Sequence, residues 1–203
     1  MEIDPKDLIE AAKAAAEKRQ QRSSAHLNAA VAVTVAVLAT FMGICKVKDD
    51  NIVQGMQQAQ ADRLDHWAYY QTRNVRQEVA ESTVAQLELT RLSVAPERVA
   101  DYDAAIAKFK AIAADQHEKK DELKRQAERD QQTYDALNYR DDQFDLSDAL
   151  LAIAIALLAV TALTGLWPLY WAALIPTGFG LLMGVAGLAG LPIHPDTLVQ
   201  LLS

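Results

Sequence analysis

HLNAAVAVTVAVLATFMGIC, residues 26–45, contains no ionised side chain if His26 is neutral, and neither does ALLAIAIALLAVTALTGLWPLYWAALIPTGFGLLMGVAGLAGL, residues 149–191. A helix needs about 20 mainly apolar residues to cross the core of a bilayer, and a charge buried there costs several kcal/mol. The region between these stretches, residues 46–146, carries 15 Lys and Arg and 20 Asp and Glu. This segregation predicts a membrane protein with a long, water-exposed insert.

The apolar stretches have room for three spans, which we place at residues 26–45, 147–166 and 171–191. Two Trp, one Tyr and one Pro lie within five residues between the second and third spans. Aromatic side chains of this kind concentrate where a membrane meets water. They predict a tight turn at the lipid headgroups, with an interface belt formed by Trp167, Tyr170 and Trp171.

The third span is unusually rich in glycine. Gly180 and Gly184 form a pair separated by three residues, and Gly187 extends the same side of the helix. Small residues at this spacing let helix backbones approach closely in lipid. We expect these three glycines to pack the spans together and to join protomers of an oligomer.

The insert is rich in Ala, Gln, Glu, Lys and Arg, which favour helices, and it shows neither the alternation nor the turn pairs of strands. Pro96 interrupts it, because proline cannot continue a helix and also restricts the residue before it. We therefore predict an all-α chain in which an antiparallel coiled-coil hairpin, turning near residues 93–97, lies between spans one and two.

The second arm of this hairpin carries a regular seam. Its core-type positions alternate at spacings of four and three residues, the 3.5-residue repeat of a left-handed coiled coil. Gln116, Lys120 and Asp130 are polar members of the seam; such residues lower stability but can fix register and strand number. Its main apolar and aromatic members are Tyr102, Ile106, Phe109, Leu123, Tyr134 and Leu137.

The first arm carries a less regular apolar stripe, which we expect to close the hairpin against the seam. If the hairpin folds about residues 94–95, residue 66 lies opposite residue 123. The aromatic cluster at residues 67–70 is then either a plug in the hairpin or a patch for a partner. The stripe consists of Leu64, Trp67, Gln71, Val75, Val79, Ser82, Leu89 and Leu92.

The two ends of the chain are expected to be helical. Residues 1–25 predict an amphipathic helix whose apolar face is mostly alanine, so that it either lies on the lipid surface or packs on neighbouring protein. The first span follows it without a convincing cleavage site, and we interpret that span as an uncleaved anchor. Residues 192–203 predict an interfacial tail.

Basic residues give two conflicting indications of orientation. The five Lys and Arg that precede span one favour a cytoplasmic N-terminus, which places the hairpin on the other side of the membrane. Lys46, Lys48 and Arg140 flank the hairpin and favour the opposite arrangement. We expect the first orientation, because moving a basic N-terminal segment across a membrane is unfavourable.

No motif predicts catalysis. Asp62 and His66 have a metal-compatible spacing, but the other insert histidine, His117, lies about 9 Å along the helix from the expected position opposite His66. We expect a solvated pair rather than a shared metal. The glycines of span three have the wrong spacing for a dinucleotide fingerprint, and no strand precedes them. We therefore expect no catalytic residue, no cofactor and no metal.

Two segments carry a family resemblance. NAAVAVTVAVLATFMGICKVKDDNI, residues 28–52, and QAQADRLDHWAYYQ, residues 58–71, resemble a bacterial membrane-protein family known as domain of unknown function 4337. Asp65, His66, Trp67 and Tyr69 are the most distinctive part of the second segment. The resemblance covers most of the chain and implies a bacterial inner-membrane protein with a helical insert. It implies no activity and no catalytic residues.

Two functions remain as hypotheses. The first is a structural or scaffolding protein that binds the bilayer, forms a homo-oligomer and presents its hairpin to an unidentified protein partner. The second is an oligomeric channel or transport component, for which the span threonines are the only polar candidates. Nucleic acid is excluded as a partner, because the net charge is −7 and nucleic acid selects basic surfaces.

Overall fold

A computed structural model of the chain describes residues 5–193, apart from the side chains of residues 5–9, 11, 12, 14, 16 and 17. Three α-helices make up most of this range: α1, Pro5–Arg91, α2, Val99–Thr164, and α3, Trp167–Ala189. The described part contains no strand, so the all-α prediction is confirmed. Most of the predicted tail, residues 194–203, lies outside the described residues, as do residues 1–4 of the predicted N-terminal helix.

Helix α1 continues without a break through the predicted boundaries at residues 25 and 45. Polarity changes sharply along it, but no proline occurs between Pro5 and Pro96. Because an α-helix satisfies its backbone hydrogen bonds internally, it persists in both apolar and aqueous surroundings. The predicted boundaries therefore mark changes in polarity along α1 and not breaks in the helix.

The connection between α1 and α2 surrounds Pro96. Ala95 has extended backbone angles, φ −63° and ψ 144°, as the residue before a proline must. Pro96–Arg98 then form one turn of 3-10 helix that leads into α2. The turn thus occupies residues 92–98.

Helices α2 and α3 are joined by a tight turn. Gly165 has a φ of 69° and its amide donates to the Thr161 carbonyl, which ends α2 in the left-handed conformation that glycine adopts most easily. Leu166 is extended, and Pro168 lies in the first turn of α3, where its missing amide hydrogen is not needed. The aromatic residues of the predicted belt are therefore in the first turns of α3.

The chain divides into two compact units. Unit one contains the described residues up to Ile52 and from Tyr139 onward. All three helices contribute to it, and each of them has a stretch long and apolar enough to cross a membrane. The buried core of unit one consists of Leu27, Val31, Leu38, Leu151, Ala154, Leu158 and Ala173.

Unit two contains residues Val53–Asn138, from α1 and α2. Its cross-helix contacts join His66 to Asp130, Arg73 to Gln116 and Arg91 to Asp103. The residue numbers fall on α2 as they rise on α1, so the two helices run antiparallel within this unit.

Candidate functional site

The glycines of α3 lie against the chain's own helices in unit one. A Cβ atom at Gly180 would lie 2.8 Å from the Leu151 side chain. At Gly184 it would lie 2.6 Å from the Phe41 ring, and at Gly187 2.9 Å from the Phe144 ring. Each glycine therefore provides the space that a larger side chain of α1 or α2 occupies.

This packing changes the expected role of the glycines. Gly180, Gly184 and Gly187 are buried inside one chain, and Ser147 of α2 donates a 2.8 Å hydrogen bond to the Gly180 carbonyl. A face already filled by helices of the same chain has no space for a second protomer. These glycines therefore pack helices of the same chain, and a contact between protomers stays a prediction for another surface.

Polar side chains of α2 hold the last turns of α3, a contact that the sequence analysis missed. Arg140 donates to the Gly187 carbonyl at 2.8 Å. Gln143, which is fully buried, donates to the carbonyls of Leu191 and Ile193. Residues 140, 143 and 147 lie on one face of α2 at helical spacing. This row of polar residues was the feature of the sequence that could have indicated the contact. Arg140 thus satisfies one of the last four carbonyls of α3, which have no partner within the helix, and Gln143 holds the residues that follow the helix.

The predicted belt residues form a cluster at the start of α3. Trp167, Tyr170 and Trp171 contact one another edge to face, with ring centroids 5.8 Å apart in both pairs. The Tyr170 hydroxyl lies 3.0 Å from the Thr34 hydroxyl, and the Trp167 indole donates to the Ser23 hydroxyl at 3.2 Å. The cluster thus ties the beginning of α3 to α1, while Trp171 stays exposed.

A group of carboxylates lies where α1 and α2 leave the predicted spans. Asp49 is only 5% exposed, and its Oδ2 accepts a 2.9 Å hydrogen bond from Lys46. Asp141 of α2 lies within hydrogen-bonding reach of Asp49. Asp145 shares with Asp49 the lining of a cavity of about 30 Å³, which has room for a water molecule or two. No sequence pattern indicated this group, because its members come from distant parts of the chain.

The environment of Asp141 and Asp145 disfavours their ionised forms. Burial, the hydrogen bond to Asp49 and the charge of Asp145 raise the pKa of Asp141 from 3.8 to about 7. Burial, followed by the charge of Asp49, also raises the pKa of Asp145. The described residues include no group of three His, Cys, Asp or Glu side chains arranged to hold a metal ion. The raised pKa values mean that Asp141 and Asp145 hold a proton at a higher pH than an ordinary Asp does.

The predicted seam of α2 faces α1 in unit two. Tyr102, Ile106, Phe109, Leu123, Tyr134 and Leu137 are each buried or half-buried. The polar seam residues contact polar side chains of α1: the Asp130 carboxylate lies 2.7 Å from His66, Gln116 accepts from Arg73, and Lys120 donates to Asn74. His66 is therefore paired across the unit, and the expected solvated pair with Asp62 is wrong.

The cross-helix contacts lie at the predicted register or beyond it. His66 lies opposite Asp130, seven residues past residue 123, where a fold about residues 94–95 would place its partner. Arg73 and Gln116, in contrast, form a pair that such a fold predicts, and Arg91 pairs with Asp103, five residues past residue 98. The predicted register is therefore met at one contact, and the partners at the other two lie further toward the C-terminus of α2.

The apolar stripe of the first arm faces away from α2, which contradicts the prediction that it closes the hairpin. Val75, Leu89 and Leu92 are 57%, 70% and 80% exposed, and Leu64, Trp67 and Val79 are exposed as well. Gln71 and Ser82 complete this exposed row. At 100° per residue the row lies on the side of α1 opposite His66 and Arg73. Unit two therefore has an uncovered apolar face.

Comparison with known proteins gives one match. The model of a family described as "Domain of unknown function (DUF4337)" matches residues 27–190, which is more than half of the chain. The resemblance inferred from residues 28–52 and 58–71 is thereby confirmed. No curated protein and no solved structure is detectably similar to the chain.

Proposed function

This chain belongs to the DUF4337 family, whose description assigns no activity, and we propose from its geometry that it is a non-enzymatic membrane scaffold that associates with copies of itself. The apolar stretches of α1, α2 and α3 anchor it in the bilayer as a multi-pass protein. The two helices of unit two form a coiled-coil hairpin that makes the contacts between copies.

The observation that carries this proposal is the exposed apolar stripe of α1. It extends from Leu64 to Leu92, 29 residues, or about 42 Å of helix. Exposed apolar side chains are common on proteins when they occur singly, but a continuous row of this length indicates an interaction surface. Since the stripe lies in the charged insert and not in a predicted span, lipid is not its expected contact.

A second copy of the same stripe is the partner that fits it. The row spans about four heptads, the length that a coiled coil needs for stable association. None of its eight members carries a charge, so that two copies meet without like-charge repulsion. A face that binds itself forms a two-fold contact, the commonest arrangement of soluble homo-oligomers.

The channel alternative has no observation in its favour. In the described spans the hydroxyls of Thr40, Thr161 and Thr164 donate to carbonyls of their own helix four residues earlier. Thr34 does the same and also contacts Tyr170. These hydroxyls are used within the chain and do not form a row of free polar groups along a conduction path.

The test is the native mass of the full chain in mild detergent, for the natural sequence and for two matched variants. In the first variant Val75→Glu and Val79→Glu place two charges in the stripe. In the control, Ala107→Glu and Ala111→Glu place the same two charges, at the same spacing, on the exposed outer side of α2.

We expect the natural chain and the α2 control to give one discrete multimer, and the stripe variant to give a smaller species. Charges that face each other in a coiled-coil contact are desolvated and repel. A natural chain that is monomeric contradicts the proposal. So does a stripe variant with unchanged mass, and a complex that contains a second protein would assign the stripe to that partner instead.

A further inference from the structure

Asp49 is an unusual carboxylate, because one of its two oxygens is buried without a donor. Its Oδ2 receives the Lys46 ammonium group at 2.9 Å. Its Oδ1 is buried, and among the described residues no amide, amine or hydroxyl group donates to it. A buried acceptor without a donor is costly, so native structures rarely keep one unless a water, an ion or a proton completes the site.

The group within reach of Asp49 is another carboxyl. Asp141 lies within hydrogen-bonding distance of it across the contact between α1 and α2. Two ionised carboxylates repel at this distance, whereas a protonated carboxyl donates a hydrogen bond to an ionised one. One proton on Asp141 therefore supplies the donor that Asp49 lacks. The adjacent cavity, lined by Asp49 and Asp145, has room for the water that would deliver the proton.

The surrounding charges favour keeping this proton. Helix α3, Trp167–Ala189, has no charged residue, so it provides no cation to stabilise a second carboxylate. The elevated pKa of Asp141, whose first cause is burial, agrees with this arrangement. Lys46 is the cation that pairs with Asp49; Lys48 and Arg140 are the chain neighbours of Asp49 and Asp141, and Arg140 donates to the Gly187 carbonyl. The other titratable groups around the pair are Cys45 and Asp50 on α1, and Asp142, Asp145 and Asp148 on α2.

We propose that Asp49 and Asp141 form a proton-binding site in which one proton, carried by Asp141, is shared between the two carboxyl groups at the contact of α1 and α2. The site is independent of the self-association proposed above, because both residues lie in unit one and the stripe lies in unit two. Loss of the proton adds one negative charge beside Asp49, whose ion-pair partner is Lys46.

The test is infrared difference spectroscopy of the detergent-solubilised full chain, titrated from about pH 5, where ordinary Asp is already ionised, to about pH 9. We expect a protonated carboxyl band equivalent to one group per chain, lost near pH 7. The band should be absent in Asp141→Asn, which replaces the proton donor with an amide. It should remain in Asp135→Asn, whose carboxylate is exposed in unit two.

Asp49→Asn provides a second variant in case Asp141→Asn does not fold. With an amide in place of its charged partner, Asp141 should titrate at least one pH unit lower. Three results would overturn the proposal: no protonated band in the natural chain at about pH 5, a band that survives both variants, or a band that dissolved Ca²⁺ removes below pH 7, which would make a cation the ligand. A monomeric natural chain that retains the band would separate this site from the proposed scaffold function.

Discussion

At the scale of single residues, the glycines of α3 show how position decides what a small residue does. Gly184 provides the space for Phe41, whereas Gly178, six residues earlier on the same helix, has no atom within 4 Å of the place where its Cβ would lie. The small-residue pattern is visible in the sequence, but it does not show whether the partner helix belongs to the same chain. That choice depends on side chains of α1 and α2 that are distant in sequence.

Gly184→Ala should therefore destabilise the chain, and Gly178→Ala should not. The new methyl group at residue 184 would collide with Phe41 and with the Ser147 hydroxyl, an overpacking that costs about 1–3 kcal/mol. At residue 178 alanine should be neutral or stabilise the helix by roughly 0.5–1 kcal/mol. Thermal unfolding in detergent measures both. Equal melting temperatures for the two variants would contradict the internal packing of Gly184.

The raised pKa of Asp141 predicts that the free energy of unfolding of the chain depends on pH. This pKa is 3.8 in the unfolded chain and about 7 in the folded one, so the folded chain binds more protons between these values. The stabilising contribution is complete below about pH 4 and is lost as the pH rises through 7. Because Asp141 is partly exposed, we expect only about 1 kcal/mol.

Denaturation of the full chain at about pH 5 and about pH 8 measures this loss, and Asp141→Asn serves as the comparison. An asparagine keeps a hydrogen-bond donor toward Asp49 at every pH. The free energy of unfolding of this variant should therefore differ less between the two pH values. The raised pKa of Asp145 acts with the same sign and leaves a residual slope. Stability that rises with pH over this range would exclude the assignment.

At the scale of helices, the side of α1 that faces α2 in unit two is not the side predicted from the sequence. Hydrophobic periodicity alone favours burying the stripe that contains Val75 and Val79. The seam of α2, however, contains Gln116 and Asp130, which would be unpaired against an apolar surface. Arg73 and His66 satisfy them, so α1 turns its polar side inward. The apolar stripe of α1 can be recognised from its own sequence. Which side of α1 faces α2, however, depends on the polar groups of α2.

A double-mutant cycle tests this pairing and its register. His66→Ala and Asp130→Ala remove both partners of the 2.7 Å contact, and their effects on the free energy of unfolding should be coupled by about 0.5–3 kcal/mol. His66→Ala and Leu123→Ala should add independently, because residue 123 lies roughly 10 Å along α2 from residue 130. Coupling to residue 123 and not to 130 would restore the register expected from a fold about residues 94–95.

At the scale of the whole molecule, the distribution of charge allowed the helical class and three candidate spans to be predicted. It could not predict the carboxylate pair, because Asp49 and Asp141 come together only when α1 and α2 pack in unit one. The distribution of charge also did not determine the orientation of the chain in the membrane. Lys46, one of the residues that favours a cytoplasmic hairpin, forms ion pairs with Asp49 and Asp50, and Arg140 donates to the Gly187 carbonyl. Orientation therefore needs a direct measurement.

We expect the N-terminus on the cytoplasmic side and the turn of unit two on the opposite side, because the five basic residues before the first span resist translocation. In a Cys45→Ser background, Glu97→Cys should react with a membrane-impermeant maleimide in intact spheroplasts of an expressing bacterium. Lys18→Cys should react only after the membrane is permeabilised. Both residues are exposed, so failure to react reports the membrane and not burial in the chain. The reverse pattern would establish the opposite orientation, and labelling of both sites before permeabilisation would contradict a spanning arrangement between them.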